Sequence, residues 1–459
     1  MEREVIYAEV KKPEYDYSKE TIELTDQTME ERKNKILQRM KDNQLDTLVV
    51  YGDLEHGSNF EYLVGFLTRF EEGVLVLHQN GEAYLLLGNE NLNKAKYSRI
   101  PVKSLHTPFF SLPNQPMNNE KNLAELFKEA NIQKDSHVGI VGWKLFTSQQ
   151  QDNLKLFDVP YYIVDSLKDI TNDVVNATAL YIGNQGARNT NNANEIAHYE
   201  CMSSLASDCV LKAMDEIDVG KTELEMGQLL NAYGQKNSIV TIAASRDRFK
   251  NGYLYPRQQE IQLGDPMSLT VGYRGGASSR SALVLHDETE LPEETKDYLD
   301  VVVKPYFKAI VTWLENVDQC KTGGELYGLV EKVLPKEKYH WSLNPGHLTA
   351  EEEWSCSPIY ENSKDLLESG MIFQTDIIPS IAGYPGTSAE STVLLADEKL
   401  REEIKKEYPD LWDRFQQRRN YIIEEYNIHL GESVLPMAST LVYLRPFLLN
   451  KDKAMKMNK

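Results

Sequence analysis

Apolar positions in the first part of the chain form short runs separated by stretches of helical period. Residues 29–43 carry Ile36, Leu37 and Met40 at helical spacing and lead directly into the apolar run 47–51, the pattern of a helix feeding a strand. Two further runs, 73–79 and 82–87, are joined by Asn80-Gly81. That dipeptide supplies the positive φ angles of a type I′ turn, so a hairpin is expected there. A helix over 120–130 and a strand over 137–141 continue the alternation to about Val175. The pattern predicts an α/β domain over residues 1–182.

The segment 183–193, dense in glycine and asparagine, reads as a boundary. Beyond it Met202, Leu205, Cys209, Ala213 and Ile217 share one helical face, with Gly220 as the expected C-cap. Thr222 with Glu225 and Thr322 with Glu325 have the spacing of capping boxes, each predicting a helix start. A long helix is expected over 292–317, opened by Pro292 in its first turn. Strand-like runs at 238–244, 267–273, 372–378 and 391–395 lie between these helices. Two charged helices around Pro409 and an apolar stretch at 434–449 follow, giving an α+β domain over 190–459.

Composition is that of a globular chain, and the 459 residues suffice for two filled cores. The net charge of −20 disfavours nucleic acid and anionic membrane as partners. The first 20 residues are charged and tyrosine-rich without an apolar stretch, and the 4 cysteines lack metal-ligand spacing, so reduced thiols in the cytoplasm are expected.

Phosphate-binding loops, nucleophile elbows and zinc-helix motifs are absent. Candidate chemistry is scattered instead: Asn344-Pro345-Gly346-His347, then Gly370-Met371-Ile372-Phe373-Gln374-Thr375-Asp376, then Ala389-Glu390-Ser391-Thr392-Val393. One imidazole and two carboxylates beside strand-like runs can be gathered by a sheet. The run Glu351-Glu352-Glu353 reads as a solvated turn.

This order of motifs resembles the creatinase and X-Pro aminopeptidase family, the pita-bread fold. Its features are a Gly-His, a Gly-Met strand ending in a ligand glutamate, and a final glutamate before Thr-Val-Leu. His347 matches the histidine ligand, Asp376 falls at the first glutamate and Glu390 matches the second. Residues 39–50 and 62–66 are similar to the family's N-terminal domain, and 194–196 and 220–223 to its first catalytic-domain helices. The resemblance implies a creatinase-like α/β domain followed by an α+β pita-bread domain. It further implies hydrolysis of a C–N bond in a small-molecule or short-peptide ligand, and a homodimer.

The departures concern the metal centre. The family's aspartate pair follows a Gly-Asp turn, present as Gly264-Asp265, yet residues 266–286 contain no acid; Thr270 stands at the first position and the second falls within 277–281. The family's upstream catalytic histidine has no counterpart in 248–264, where Tyr253 and Tyr255 are found, and Trp354 lies near the place of its second histidine. Two dications about 3.5 Å apart repel by roughly 19 kcal/mol at an effective dielectric of about 20. Asp376 and Glu390 offer two negative charges against that, so no dinuclear centre is expected. Three readings stay open: a metal-free hydrolase, a hydrolase with one divalent metal ion on His347, Asp376 and Glu390, and a non-catalytic binding protein. In the first, His347 and Tyr253 are the catalytic candidates, and Asp376, Glu390, Arg274 and Arg280 the substrate-binding ones.

Overall fold

The structure, a computed structural model, describes residues 3–247 and 252–459. It divides into two compact units, one of residues 24–189 and one of residues 1–23 with 190–459.

The unit of residues 24–189 is built on a six-stranded sheet in the order Lys103–His106, Ala83–Leu87, Gly73–His78, Thr47–Gly52, Val138–Val141, Val174–Asn176. Thr47–Gly52 is antiparallel to Gly73–His78 and parallel to Val138–Val141. It is buried at every position, as its largely apolar sequence requires of a strand covered on both faces. Val49, Tyr51, Val74 and Val76 on one face pack with Leu126, Phe127, Ile163 and Leu167 from the helices Leu123–Glu129 and Tyr161–Lys168. The expected hairpin is present, with a different turn. Gly81 has φ +87 but Asn80 does not enter the left-handed region. Gly81 N–H donates to His78 O, and His78 N–H to Glu82 O, the type I turn with a left-handed glycine that closes a three-residue hairpin loop.

The larger unit holds two four-stranded antiparallel sheets. One runs Ser388–Glu390, Gly276–Leu283, Pro266–Tyr273, Ile242–Ser245; the other His347–Leu348, Ile372–Gln374, Thr392–Leu395, Val434–Pro436. The helix Ala193–Glu216 packs on the first sheet and contributes Leu205, Cys209, Val210 and Met214 to one core with Leu269, Val271, Phe307, Trp313 and Phe373. Both expected capping boxes are made, Thr222 with Glu225 and Thr322 with Glu325. Two expectations are corrected. The helix that begins at Ala193 ends at Glu216, and Gly220 serves a later turn with its N–H on Ile261 O. The stretch 292–317 is no single helix: a 3-10 turn at Glu293–Thr295 and a π turn at Leu299–Val303 precede the α-helix Lys304–Asn316. Pro305 accounts for the π turn, because it has no N–H to give the preceding turn and its ring crowds the carbonyl four residues back.

Residues 1–23, assigned from sequence to the first domain, belong to the larger unit. Val5–Glu9 pairs with Lys453–Met457, a register no local pattern reveals. No helix among the described residues is long and apolar enough to cross a membrane.

Candidate active site

The strand residues 388–390 and 392–395 carry the chain from one sheet of the larger unit into the other, and Glu390 stands at the crossing. Ser279 lies opposite Glu390, and Thr270 opposite Ser279. In the second sheet His347 is paired with Gln374, two residues before Asp376. Two antiparallel registers thus gather residues that are distant along the chain, as the scattered motifs require. His347 Nε2 is 3.9 Å from Asp376 Oδ2, and its ring is fully buried.

A third carboxylate joins them. Glu353 Oε1 is 3.1 Å from His347 Nε2, its side chain is 18% exposed, and ligand atoms of His347, Glu353 and Glu390 all fall within 4.8 Å of one another. The solvated-turn reading of Glu353 is therefore wrong. The loop 349–356 returns on itself: Leu348 N–H donates to Cys356 O (2.7 Å), Ser355 N–H to Leu348 O (3.0 Å) and Ala350 N–H to Glu352 O (3.0 Å). This closure turns Glu353 inward and lays Trp354 on the His347 ring, centroids 3.9 Å apart and planes inclined 23°. The one hint in the sequence is an acid next to a tryptophan a loop's length after Gly346-His347.

Where the resemblance leads to an aspartate pair, Thr270 Oγ1 and Ser279 Oγ form a buried hydroxyl pair at 2.6 Å. Arg280 is 1% exposed. Its guanidinium donates to the carbonyls of Ser279, Glu390, Tyr443 and Thr440 and to Ser391 Oγ, so its donors are consumed inside the fold. Arg274 lies in the tight turn between Pro266–Tyr273 and Gly276–Leu283. Tyr253 is half exposed beside Arg257, which is itself gripped by Glu223, and makes no contact with the His347 cluster among the described residues. Residues 248–251, part of the stretch searched for a histidine, lie outside the described residues.

Burial first, then the Asp376 and Glu353 charges, hold the Glu390 carboxyl well above the usual range, with Arg280 opposing. Burial likewise raises Asp376, against the His347 charge. For His347, burial works against the imidazolium, but Glu353 and Asp376 outweigh it and the net shift is upward. Crowded buried carboxylates of this kind are stabilised by a cation. The donor set fits one. His347 Nε2 is buried and, although close to Glu353, has no hydrogen bond of acceptable geometry. An imidazole with carboxylates and open positions is a common set for a single divalent ion.

Residues 32–156 match the Creatinase/Prolidase N-terminal domain family. No curated protein sequence matches the chain significantly. Among solved structures, the prolidase of Pyrococcus horikoshii OT3 is similar with TM-score 0.61 at 19% identity, covering 80% of this chain and 95% of that one. The Xaa-Pro dipeptidase of Bacillus anthracis gives 0.60 at 16%, covering 81% and 96%. A His354Ala form of Escherichia coli aminopeptidase P gives 0.56 at 13%, covering 84% and 99%. Residues 32–156 thus carry a creatinase/prolidase N-terminal domain, and the chain as a whole has the pita-bread fold of prolidases and aminopeptidase P. On that fold this chain places the hydroxyl pair Thr270–Ser279 and the inward Glu353 beside His347 and Glu390.

Proposed function

We propose that the chain is a hydrolase acting on a C–N bond of a small, peptide-like molecule, with one divalent cation held by His347, Glu353 and Glu390 and with Asp376 beside them. The observation that carries this reading is Glu353. It raises the carboxylates around the buried imidazole from two to three, enough negative charge for one dication, whereas Thr270 and Ser279 supply none for a second. When bound, such an ion polarises a carbonyl or lowers the pKa of a water. His347 contributes a neutral nitrogen fixed in plane by Trp354. Asp376, the carboxylate farther from that nitrogen, is placed to accept a proton from an attacking water. A cytoplasmic homodimer taking a short peptide or small amide accords with this reading.

The test is elemental analysis of purified, metal-equilibrated protein, paired with turnover assays on X-Pro dipeptides, amides and amidines. About one ion per chain, lost in His347→Ala, is expected together with hydrolysis of at least one such compound. No bound ion would sink the one-metal reading; a bound ion without turnover of any of them would leave a binding protein in its place.

A further inference from the structure

The helix Ala193–Glu216 and the short helix Glu223–Leu230 border a cavity of about 790 Å³ that shares no lining residue with the His347 cluster. Its volume is within the range of small-molecule sites. The floor is apolar and fixed, made by the buried Leu205 and Cys209 of the long helix. The sides are aromatic: Tyr15, Tyr17 and Tyr233 line it, with the Tyr17 and Tyr233 rings 5.7 Å apart and inclined 31°. Tyr233 is 67% exposed, an uneconomical place for a large ring unless something covers it.

Charge at this cavity runs against that of the whole chain. Lys19 and Lys212 line it, and among the described residues neither has an ion-pair partner. The acids around them are already engaged. Asp208 accepts the backbone N–H groups of Asp16 (3.2 Å) and Tyr17 (3.0 Å), while Asp215 takes Lys12 Nζ (2.7 Å) and the Tyr15 hydroxyl (2.8 Å). Two ammonium groups without an ion-pair partner among the described residues, and one carboxylate, that of Asp208, thus line an aromatic-walled space on a protein of net charge −20. The backbone is unusual at the same place. Lys19 has φ +60 and Tyr233 φ +53, left-handed conformations that cost a long or bulky side chain energy and that persist where the surroundings fix them.

We propose that this cavity is a binding site for a small molecule with a flat, apolar body and one negatively charged group, of the aryl carboxylate, sulfonate or phosphate type. The ring body lies among the tyrosines, and the anion is received by Lys19 and Lys212. Aromatic stacking and charge-assisted hydrogen bonds are the two contributions, and they are separable.

The probe is 1-anilinonaphthalene-8-sulfonate, titrated by fluorescence and calorimetry into the full chain, with N-phenyl-1-naphthylamine as the same body without charge. One saturable site per chain is expected, with the anion preferred by about tenfold or more, since a hydrogen bond to a charged group is worth that much in affinity. The double variant Lys19→Gln, Lys212→Gln, both exposed positions, is expected to lose that preference while keeping its thermal midpoint. Tyr233→Ala is expected to weaken both probes alike, and His347→Ala to bind as the parent does. Equal binding of charged and neutral probes, undiminished binding by the double-lysine variant, or no saturable site would each overturn the proposal.

Discussion

Glu353 Oε1 stands 3.1 Å from His347 Nε2, nearer than Asp376 at 3.9 Å, although Glu353 belongs to a loop and Asp376 follows Ile372–Gln374, a strand of the second sheet of the larger unit. The loop residue is therefore the closest anionic neighbour of the one buried imidazole in the cluster. Removing its charge is expected to weaken divalent-ion binding by about tenfold to a hundredfold in Glu353→Gln, and to abolish it in His347→Ala. Competition against a chelating dye measures this. An unchanged affinity in Glu353→Gln would show that the glutamate is not a ligand.

The same substitution has the opposite sign for the metal-free chain. Glu353 adds to the repulsion that, after burial, holds Glu390 well above its usual range. At a pH high enough for His347 to be neutral, where its attraction to Glu353 is gone, relieving the repulsion is expected to stabilise the metal-free protein by about 1 kcal/mol, a rise of a few degrees in thermal midpoint. The gain should vanish when the parent is saturated with a divalent ion. Scanning calorimetry with chelator and with excess metal separates the cases, and equal midpoints under chelation would refute the crowding argument.

Arg280 makes five donations, four of them to main-chain carbonyls at the seam of the two sheets. Arg280→Met removes every donor and strands several buried acceptors. The expected cost is about 3 kcal/mol or more, read from denaturant midpoints. A variant that keeps its midpoint but loses substrate affinity would instead make Arg280 a ligand-binding residue, the role suggested by sequence.

Asp208 carries a pH dependence of definite sign. Burial pushes its carboxyl up to about 6 from an ordinary 3.8, although it accepts two main-chain N–H groups. The folded state therefore holds the proton more tightly than the unfolded chain. That stabilisation is fully present below about pH 4 and is lost as pH rises through about 6, by at most roughly 3 kcal/mol. Asp208→Asn lacks this titration, so its stability relative to the parent is expected to climb between pH 4 and pH 7. Paired melts across that range check it, and a flat difference would remove the argument.

Legibility in the sequence followed the range of the interaction. The hairpin glycine at 81, the two threonine capping boxes and the buried run at 47–52 are set by neighbours within a few residues, and sequence reading reached them. His347, Asp376 and Glu390 were reachable because each flanks a strand whose register a sheet enforces. Glu353 was not, because its direction depends on loop closure between Leu348 and Cys356 and not on any period. The pairing of Val5–Glu9 with Lys453–Met457 was equally hidden, since nothing local to either end specifies the other. The engaged state of Arg280 could not be read either, because its partners come from positions 279, 390, 391, 440 and 443.

The Glu353 loop has a remote anchor that can be broken without touching a ligand. Gly275, in the turn beside Arg274, donates its N–H to Ala350 O at 2.7 Å, which ties the loop base to the first sheet. Gly275 has φ +94, and a Cβ there would stand 2.5 Å from Tyr199 O and 2.6 Å from Tyr199 Cα, main-chain atoms of a long helix that cannot yield cheaply. Gly275→Ala is therefore expected to displace the turn, cost about 2 kcal/mol or more in stability and weaken metal binding although His347, Glu353 and Glu390 are intact. Gly220→Ala is the control: φ there is +89 but nothing lies within 4 Å of the added Cβ, so it should show only the backbone strain, about 1 kcal/mol, with metal affinity unchanged. Melting midpoints and chelator competition on both variants decide it, and equal metal affinity in the two would mean that the Gly275 anchor does not position Glu353.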